Sequence, residues 1–407
     1  MMRRREVLRS VAGLAGYAIT ARTFARARPL NVGVVGAGIV GACIASTLAQ
    51  AGARVTLFEK SGPALGATQN SFAWVNAFES DAHYRSLRLG SLFAYRGLDA
   101  PLGLGMTWGG YANWAADAAD VEAVHSNALQ LADTPYPVRS LAPEELAALS
   151  PALQPGPVAA ALYSAIDGHL DPVHVTRRFL DHATGLGAVV VYPCEVQALD
   201  FRGPHVKGVR TSKGRFAVDR LVVAAGVDTP RILSMAGFSL GLQHAPGILA
   251  HSARLSPLTT LICDAPGGLS FKQMADGSVV GTDATAPPHT PVHDDIRSRT
   301  MDFPDQALRE YHGNRILTKI SSFLPAAHGV QLERLTLGFR PLPMDGFPVV
   351  GALPASPEVH VAVTHSGVTL APIIARHTAD EVLHGSRVDI LAPYRPERFA
   401  KRIARSG

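Results

Sequence analysis

Two short stretches of this sequence have the residue types and spacing to do chemistry through their backbones. Gly36-Ala37-Gly38-Ile39-Val40-Gly41 sets three glycines at G-x-G-x-x-G spacing, and Glu59 stands 18 positions after the last of them. Glycine at 36 permits a tight turn, glycine at 38 lets backbone approach a pyrophosphate, and glycine at 41 lets a helix pack close to a strand. The free N–H groups of the helix start that holds Ile39 and Val40 would face the phosphates. Glu59 would accept hydrogen bonds from ribose hydroxyls, and its charge disfavours the 2′-phosphate of NADP. The second stretch, His365-Ser366-Gly367-Val368-Thr369, offers another helix start late in the chain. Its partial positive charge suits a group that gains negative charge during reaction.

These stretches need strands and helices to hold them. Residues 31–35 read as a buried strand, a helix with Ile44 and Leu48 stops at Gly52, and 54–58 read as the next strand. Residues 221–226 form another buried strand ending in Ala225-Gly226, which would complete an adenine half-site. A strand over 359–363 leads into the late helix start, and a helix follows over 369–383. The 221–226 strand and this late helix start favour FAD over NAD: aimed at the pyrimidine edge of a flavin, the helix start would stabilise the charge that develops on reduction. A nicotinamide has no need of it.

Elsewhere, helical periods occupy 80–98, 141–150, 305–322 and 173–184, the last behind Asp171-Pro172. Residues 106–111 read as a short strand, and strands are expected over 188–191, 196–201, 206–211 and 215–218. Thr229-Pro230 reads as an N-cap followed by a first-turn proline. Residues 247–254, 259–263 and 268–274 read as antiparallel strands, with Asp276-Gly277 as a hairpin turn. From Leu335 the pattern is that of a Gly/Pro-marked loop.

Composition bounds the remaining possibilities. A chain of 407 residues with 47% hydrophobic content supports two or three domains, at about 150 residues each. The pI of 9.2 suggests an anionic partner until the charge is located. Residues 1–27 carry six arginines and one glutamate, an excess equal to the whole chain's +5. The rest is near neutral, and no aromatic-basic surface for nucleic acid is visible. Arg4-Arg5-Glu6-Val7-Leu8-Arg9 resembles a twin-arginine export signal, with an apolar run over 11–19 and Ala25-Arg26-Ala27 at a cleavage position. The expectation is a leader over 1–27 and a periplasmic protein without a transmembrane span; a basic N-terminus on a cytoplasmic protein is the alternative. Cys43, Cys194 and Cys263 lie too far apart for a disulfide framework or a metal site. Arg395, Arg398, Lys401, Arg402 and Arg405 read as a solvated basic tail over 387–407.

The sequence resembles the family of D-amino-acid oxidase, glycine oxidase and sarcosine oxidase. Carrying the resemblance, in order along the chain, are 34–41, Gly66-Ala67-Thr68, 71–76, Gly168-His169-Leu170-Asp171-Pro172, 222–226, Arg340-Pro341-Leu342-Pro343-Met344-Asp345-Gly346-Phe347-Pro348 and 365–372. It implies an α/β fold: a doubly wound, Rossmann-like FAD-binding domain in three segments (30–98, 165–242, 334–386) and a discontinuous α+β substrate domain (99–164, 243–333) with a mostly antiparallel sheet. Lys60, Thr68, Ser71, Val196 and Gly338 join the cofactor contacts by the same resemblance. It also implies hydride transfer from a substrate α-carbon to flavin N5, then hydrolysis of the imine, with oxygen or a quinone as acceptor. Arg340 matches the arginine that holds the substrate carboxylate, which a guanidinium can do bidentately. Lys272, Tyr163, His251 and His365 are further candidates for polar contacts. No cysteine stands near Arg340 to tether the flavin, so noncovalent FAD is expected. Two alternatives remain at this point: an NAD-dependent dehydrogenase, and a non-catalytic FAD-binding electron-transfer subunit.

Overall fold

The computed structural model describes residues 28–122, 124, 136–283 and 306–400. Residues 1–27, where a leader is expected, residue 305, and Lys401, Arg402 and Arg405 lie outside the described residues.

The first sheet gathers strands from both ends of the chain. Its members are β1 (Asn31–Val35), β2 (Arg54–Phe58), β8 (Val189–Val191), β12 (Arg220–Val223), β20 (Val349–Leu353) and β21 (Ser356–Val363). Their order is β20-β21-β12-β1-β2-β8, parallel except for the β20–β21 hairpin. Beyond their first residues, Asn31 and Arg220, the central strands β1 and β12 are apolar because both faces are covered. Val34 points to a core shared with helices α1 (Ile39–Gln50), α2 (Ala82–Leu102), α4 (Pro172–Gly185) and α7 (Gly367–His384). Its neighbour Val35 points to the opposite core, under the antiparallel meander β9 (Val196–Arg202), β10 (His205–Thr211) and β11 (Gly214–Ala217) and the short helix α5 (Thr229–Ser234). Cys43, Cys194 and Cys263 are all free and buried.

The second sheet has eight strands: β4 (Tyr111–Ala115), β5 (Val138–Ser140), β6 (Ala160–Ser164), β14 (Pro246–Arg254), β15 (Ile262–Ala265), β16 (Leu269–Gln273), β17 (Ser278–Asp283) and β18 (Leu332–Phe339). Their order is β18-β14-β17-β16-β15-β4-β6-β5, and only the β15–β4 pair is parallel. Helix α6 (Gln306–Phe323) packs on it through Ile316, Leu317 and Ile320, and helix α3 (Pro143–Leu149) adds Leu146. Two small antiparallel ladders stitch the sheets together: β3 (Trp74–Val75) with β7 (Gly168–His169), and β13 (Leu242–Gln243) with β19 (Leu342–Pro343).

Four expectations need correction. Residues 332–339 form strand β18 rather than a loop, because Leu335 and Leu337 alternate into the second core. The second sheet therefore extends past the expected boundary at 334, and Arg340 directly follows its strand β18. The strand expected over 106–111 reduces to a bridge at Thr107, and β4 starts at Tyr111, after Gly109 and a positive-φ Gly110 (φ 85°). Thr229 is not an N-cap: it is the first residue of α5, and Asp228 precedes it. The solvated tail is solvated neither at Arg395, which is buried against Glu381, nor at Arg398, which grips Asp345.

Candidate functional site

A cavity of about 630 Å³ opens between the two sheets. One end is built from backbone. Gly36 holds φ 105°, and a Cβ there would lie 2.5 Å from Ala224 O. A Cβ on Gly41 would lie 2.0 Å from Gly36 O, so this glycine packs helix α1 onto the turn and does not line the cavity. Thr68 Oγ1 accepts the Ile39 N–H at 3.1 Å, which leaves an anion to the other amides of that turn. Glu59 accepts the Ala37 N–H through Oε2 and the Ser61 N–H through Oε1, both at 2.9 Å. Its carboxylate is thereby fixed at the rim, with lone pairs left for hydroxyl groups. Lys60 and Arg231 both pair with Asp228, and Ser71, Val196, Ala225 and Gly226 complete this end.

The other end is built from side chains carried by separate elements. The start of α7 closes on the start of α1: a Cβ on Gly367 would lie 3.2 Å from Val40 Cγ2. Tyr95 Oη donates to Val368 O at 2.6 Å and Thr369 Oγ1 donates to Trp74 O at 2.8 Å, which pins the first turn of α7. Ser366, Gly338 and Arg340 also line this end. Arg340 donates its backbone N–H to Ala245 O at 3.0 Å and Nη2 to Pro246 O at 3.2 Å. Among the described residues no carboxylate pairs with it. Burial lowers its pKa from the usual arginine value, yet a guanidinium there stays charged. His365 Nε2 lies 3.4 Å from Arg340 Nη1 and accepts from it, which leaves the proton on Nδ1, 3.3 Å from Ser366 Oγ. Burial in the concave wall, then the cations of Arg340 and Arg88, hold the His365 pKa at about 4. It is neutral at pH 7.

The cavity lining also includes a group of residues that sequence reasoning does not resolve into roles. Trp74, Asn76, Phe78 and Arg88 form it. The Trp74 ring stacks on Tyr111 at 4.4 Å, and its Nε1–H donates to Asp167 Oδ2 at 2.7 Å. Asp167 is fully buried and also accepts from Tyr136 Oη at 2.5 Å and Ser164 Oγ at 2.7 Å. Burial pushes its pKa up to about 6 despite these donors. Arg88 donates to Asn76 Oδ1 at 2.7 Å. The preceding Ala73 holds φ 56°, a left-handed conformation that costs a non-glycine residue about 1 kcal/mol or more. The sequence signal is the dense Trp74-Val75-Asn76-Ala77-Phe78 run, but its partners lie tens of residues away.

Three candidates do not line the cavity. Lys272 is 1% exposed and lies behind the wall, with Nζ 3.4 Å from Ala73 O and 5.2 Å from the Phe72 ring centroid. Burial lowers its pKa to about 7. The alternation of β16 sends Leu269 and Phe271 into the core under helix α6 and Lys272 to the opposite face of the sheet, where Ala73 and Phe72 cover it. His251, its pKa held at about 4 by burial and then by Arg334, and Tyr163 also stand outside the lining.

A profile of the family described as FAD dependent oxidoreductase matches residues 31–381. The chain is 24% identical over 381 residues to the mitochondrial dimethylglycine dehydrogenase of Homo sapiens, covering 90% of this chain and 44% of that protein. It thus spans less than half the length of that relative. It is 26% identical over 399 residues to an opine oxidase subunit of Agrobacterium tumefaciens (strain Ach5), covering 91% of this chain and 98% of the other. In three dimensions it matches the crystal structure of glycine oxidase from Geobacillus kaustophilus with a TM-score of 0.80 at 21% identity, over 92% of this chain and all of the other. The glycine turn with no room for a Cβ, the fixed Glu59 and the two opposed helix starts fit FAD, and the chain belongs to the family of FAD-dependent oxidoreductases.

Proposed function

We propose that this protein oxidises a small amino acid, or another amine that bears a carboxylate, to an imine that water then hydrolyses. The observation that carries this reading is Arg340, a cation in the cavity wall with no carboxylate partner among the described residues. Leaving a guanidinium unpaired in a partly buried wall is costly unless a ligand anion completes it. When bound, FAD supplies the two-electron acceptor that removes a hydride from the substrate α-carbon.

The chain's own residues do the rest. Arg340 binds the carboxylate and fixes the direction of the α-carbon. Its backbone bond to Ala245 O and the neutral His365 beside it keep the guanidinium aimed into the cavity. The acids lining the cavity among the described residues, Glu59 and Asp228, stand at the dinucleotide end, and none of the described residues at the substrate end offers a carboxylate to hold an ammonium. A pocket carrying Arg340 and Arg88 therefore favours the uncharged amine, the form from which a hydride can leave. No separate general base is needed.

The relatives named as dimethylglycine dehydrogenase, opine oxidase and glycine oxidase support an amine or amino-acid substrate. The twin-arginine-like leader supports export of the folded protein to the periplasm, which fractionation of cells producing the full chain, with and without Arg4→Lys and Arg5→Lys, checks. The substrate reading is tested by anaerobic flavin bleaching with glycine, N-methylated glycines, and D- and L-amino acids. At least one should reduce the flavin within seconds. A flavin left oxidised by every one of them would overturn the reading.

A further inference from the structure

The C-terminal segment joins two elements that the proposed reaction depends on. Arg398 grips the loop that follows Arg340: its Nε donates to Asp345 Oδ2 at 2.6 Å, and its Nη2 donates to Asp345 Oδ1, Phe347 O and Pro348 O at 3.2, 3.1 and 2.8 Å. Arg398 is itself held, its Nη1 donating to Arg395 O at 3.1 Å. Arg395 forms a bidentate, buried pair with Glu381 of α7, at 2.7 and 2.5 Å. Gly351 makes room for it, since a Cβ there would lie 2.6 Å from Arg395 Nη1. The same Glu381 accepts the Val388 N–H at 2.8 Å, and Tyr394 packs on Phe347 with ring centroids 6.2 Å apart.

The loop has other holds along its length: Gln243 Nε2 donates to Pro343 O at 3.3 Å and to Met344 O at 3.1 Å, and Phe347 packs edge-on against Tyr84 with ring centroids 5.6 Å apart. Its start is fixed by the Arg340 N–H on Ala245 O, and its middle by the two-residue β13–β19 ladder and the turn from Gly346 N to Pro343 O. Its far end rests on Arg398. Helix α7, which carries Glu381, begins at the Ser366-Gly367 turn beside His365. A rigid helix and a short loop are thus cross-linked through Asp345, Arg398, Arg395 and Glu381.

We propose that residues 387–399 act as a strap that sets the position of Arg340 against the start of α7, with Arg398 as the positioning residue. The proposal rests on Arg340 binding a carboxylate. Charge-assisted, two-point contacts impose direction as well as attraction, so losing them frees the loop and blurs the aim of the guanidinium. Arg398 belongs to neither apolar core, so changing it leaves both in place although its side chain is only 22% exposed.

The test uses the full-length, FAD-loaded protein and acetate as the probe. Acetate affinity is read from the flavin spectrum and from the rise in thermal midpoint, in Arg340→Gln, Arg398→Gln, Arg398→Lys, Asp345→Asn and the Arg398→Gln/Asp345→Asn pair. Arg340→Gln should abolish acetate binding. Arg398→Gln and Asp345→Asn should each weaken it about tenfold, the scale of one charge-assisted hydrogen bond. The double variant should be no weaker than either single one, and Arg398→Lys should recover part of the loss. FAD content should stay unchanged throughout. If Arg398→Gln does not fold, the comparison is made with Arg398→Lys, which should still bind acetate several-fold more weakly than wild type. Native acetate affinity in the Arg398 variants, with binding lost in Arg340→Gln, would overturn the strap alone. Native affinity in Arg340→Gln would overturn the carboxylate reading and the strap with it.

Discussion

The two ends of the cavity are made in opposite ways. At the dinucleotide end the backbone does the work: six consecutive residues, Gly36 to Gly41, form the turn, and Glu59 and Thr68 lock it through main-chain N–H groups. At the Arg340 end, the proposed substrate end, side chains do the work, and they arrive on separate elements: Trp74 and Asn76 before α2, Arg88 on α2, Ile248 on β14, Arg340 after β18 and His365 before α7. A backbone site tolerates change around it but not within it. A side-chain site can exchange its members one at a time and so change its substrate while the cofactor stays.

The largest test of this contrast is Gly41→Ala. The new Cβ would meet Gly36 O, a backbone atom that cannot swing aside, so the protein should purify without flavin, as checked by the absorption of denatured supernatant. Arg340→Gln comes next. It should lower kcat/KM for the best substrate about a hundredfold, on the order of 3 kcal/mol for a lost two-point ion pair, with full flavin content. Retained kcat/KM would move the carboxylate site elsewhere.

Lys272 gives a smaller and pH-dependent effect. Its folded pKa of about 7 lies below the 10.5 of an ordinary lysine. The native state therefore binds fewer protons than the unfolded state between those values, and stability rises with pH across that window. Lys272→Met removes the buried ion and should raise the thermal midpoint, by about 1–2 kcal/mol equivalent near pH 6, with the gain fading toward pH 10. A gain that grew with pH would contradict the burial argument. The smallest effect is expected from Trp74→Phe, which keeps the stack on Tyr111 but removes one donor to Asp167. A loss of about 1 kcal/mol in denaturant unfolding is expected, with KM changed more than kcat.

What can be read from the sequence follows the same division. The glycine turn, Glu59 and both helix starts are legible because their partners are local or one strand away. The period-2 strands of the second sheet are legible where turns such as Asp276-Gly277 mark them. Strand β18 escapes because its Gly338-Phe339-Arg340-Pro341 end looks like a loop, although Gly338 is glycine for another reason: a Cβ there would lie 2.5 Å from Asn70 Cβ. Lys272 misleads because a lysine in a strand is usually half-exposed, whereas this one is buried. The roles of Asp167, Tyr136 and Arg398 cannot be read at all, since each depends on a partner 31 to 93 residues away along the chain. No local spacing encodes such a pair.

The central claim is that the two ends act as one site, a flavin facing a carboxylate-bearing amine. It is tested most directly by comparing anaerobic flavin reduction by an amino acid with that by the amine lacking its carboxylate, alanine against ethylamine for instance, in wild type and Arg340→Gln. Wild type should favour the acid at least about a hundredfold, and Arg340→Gln should lose that preference while keeping its FAD. An undiminished preference in Arg340→Gln would contradict the account.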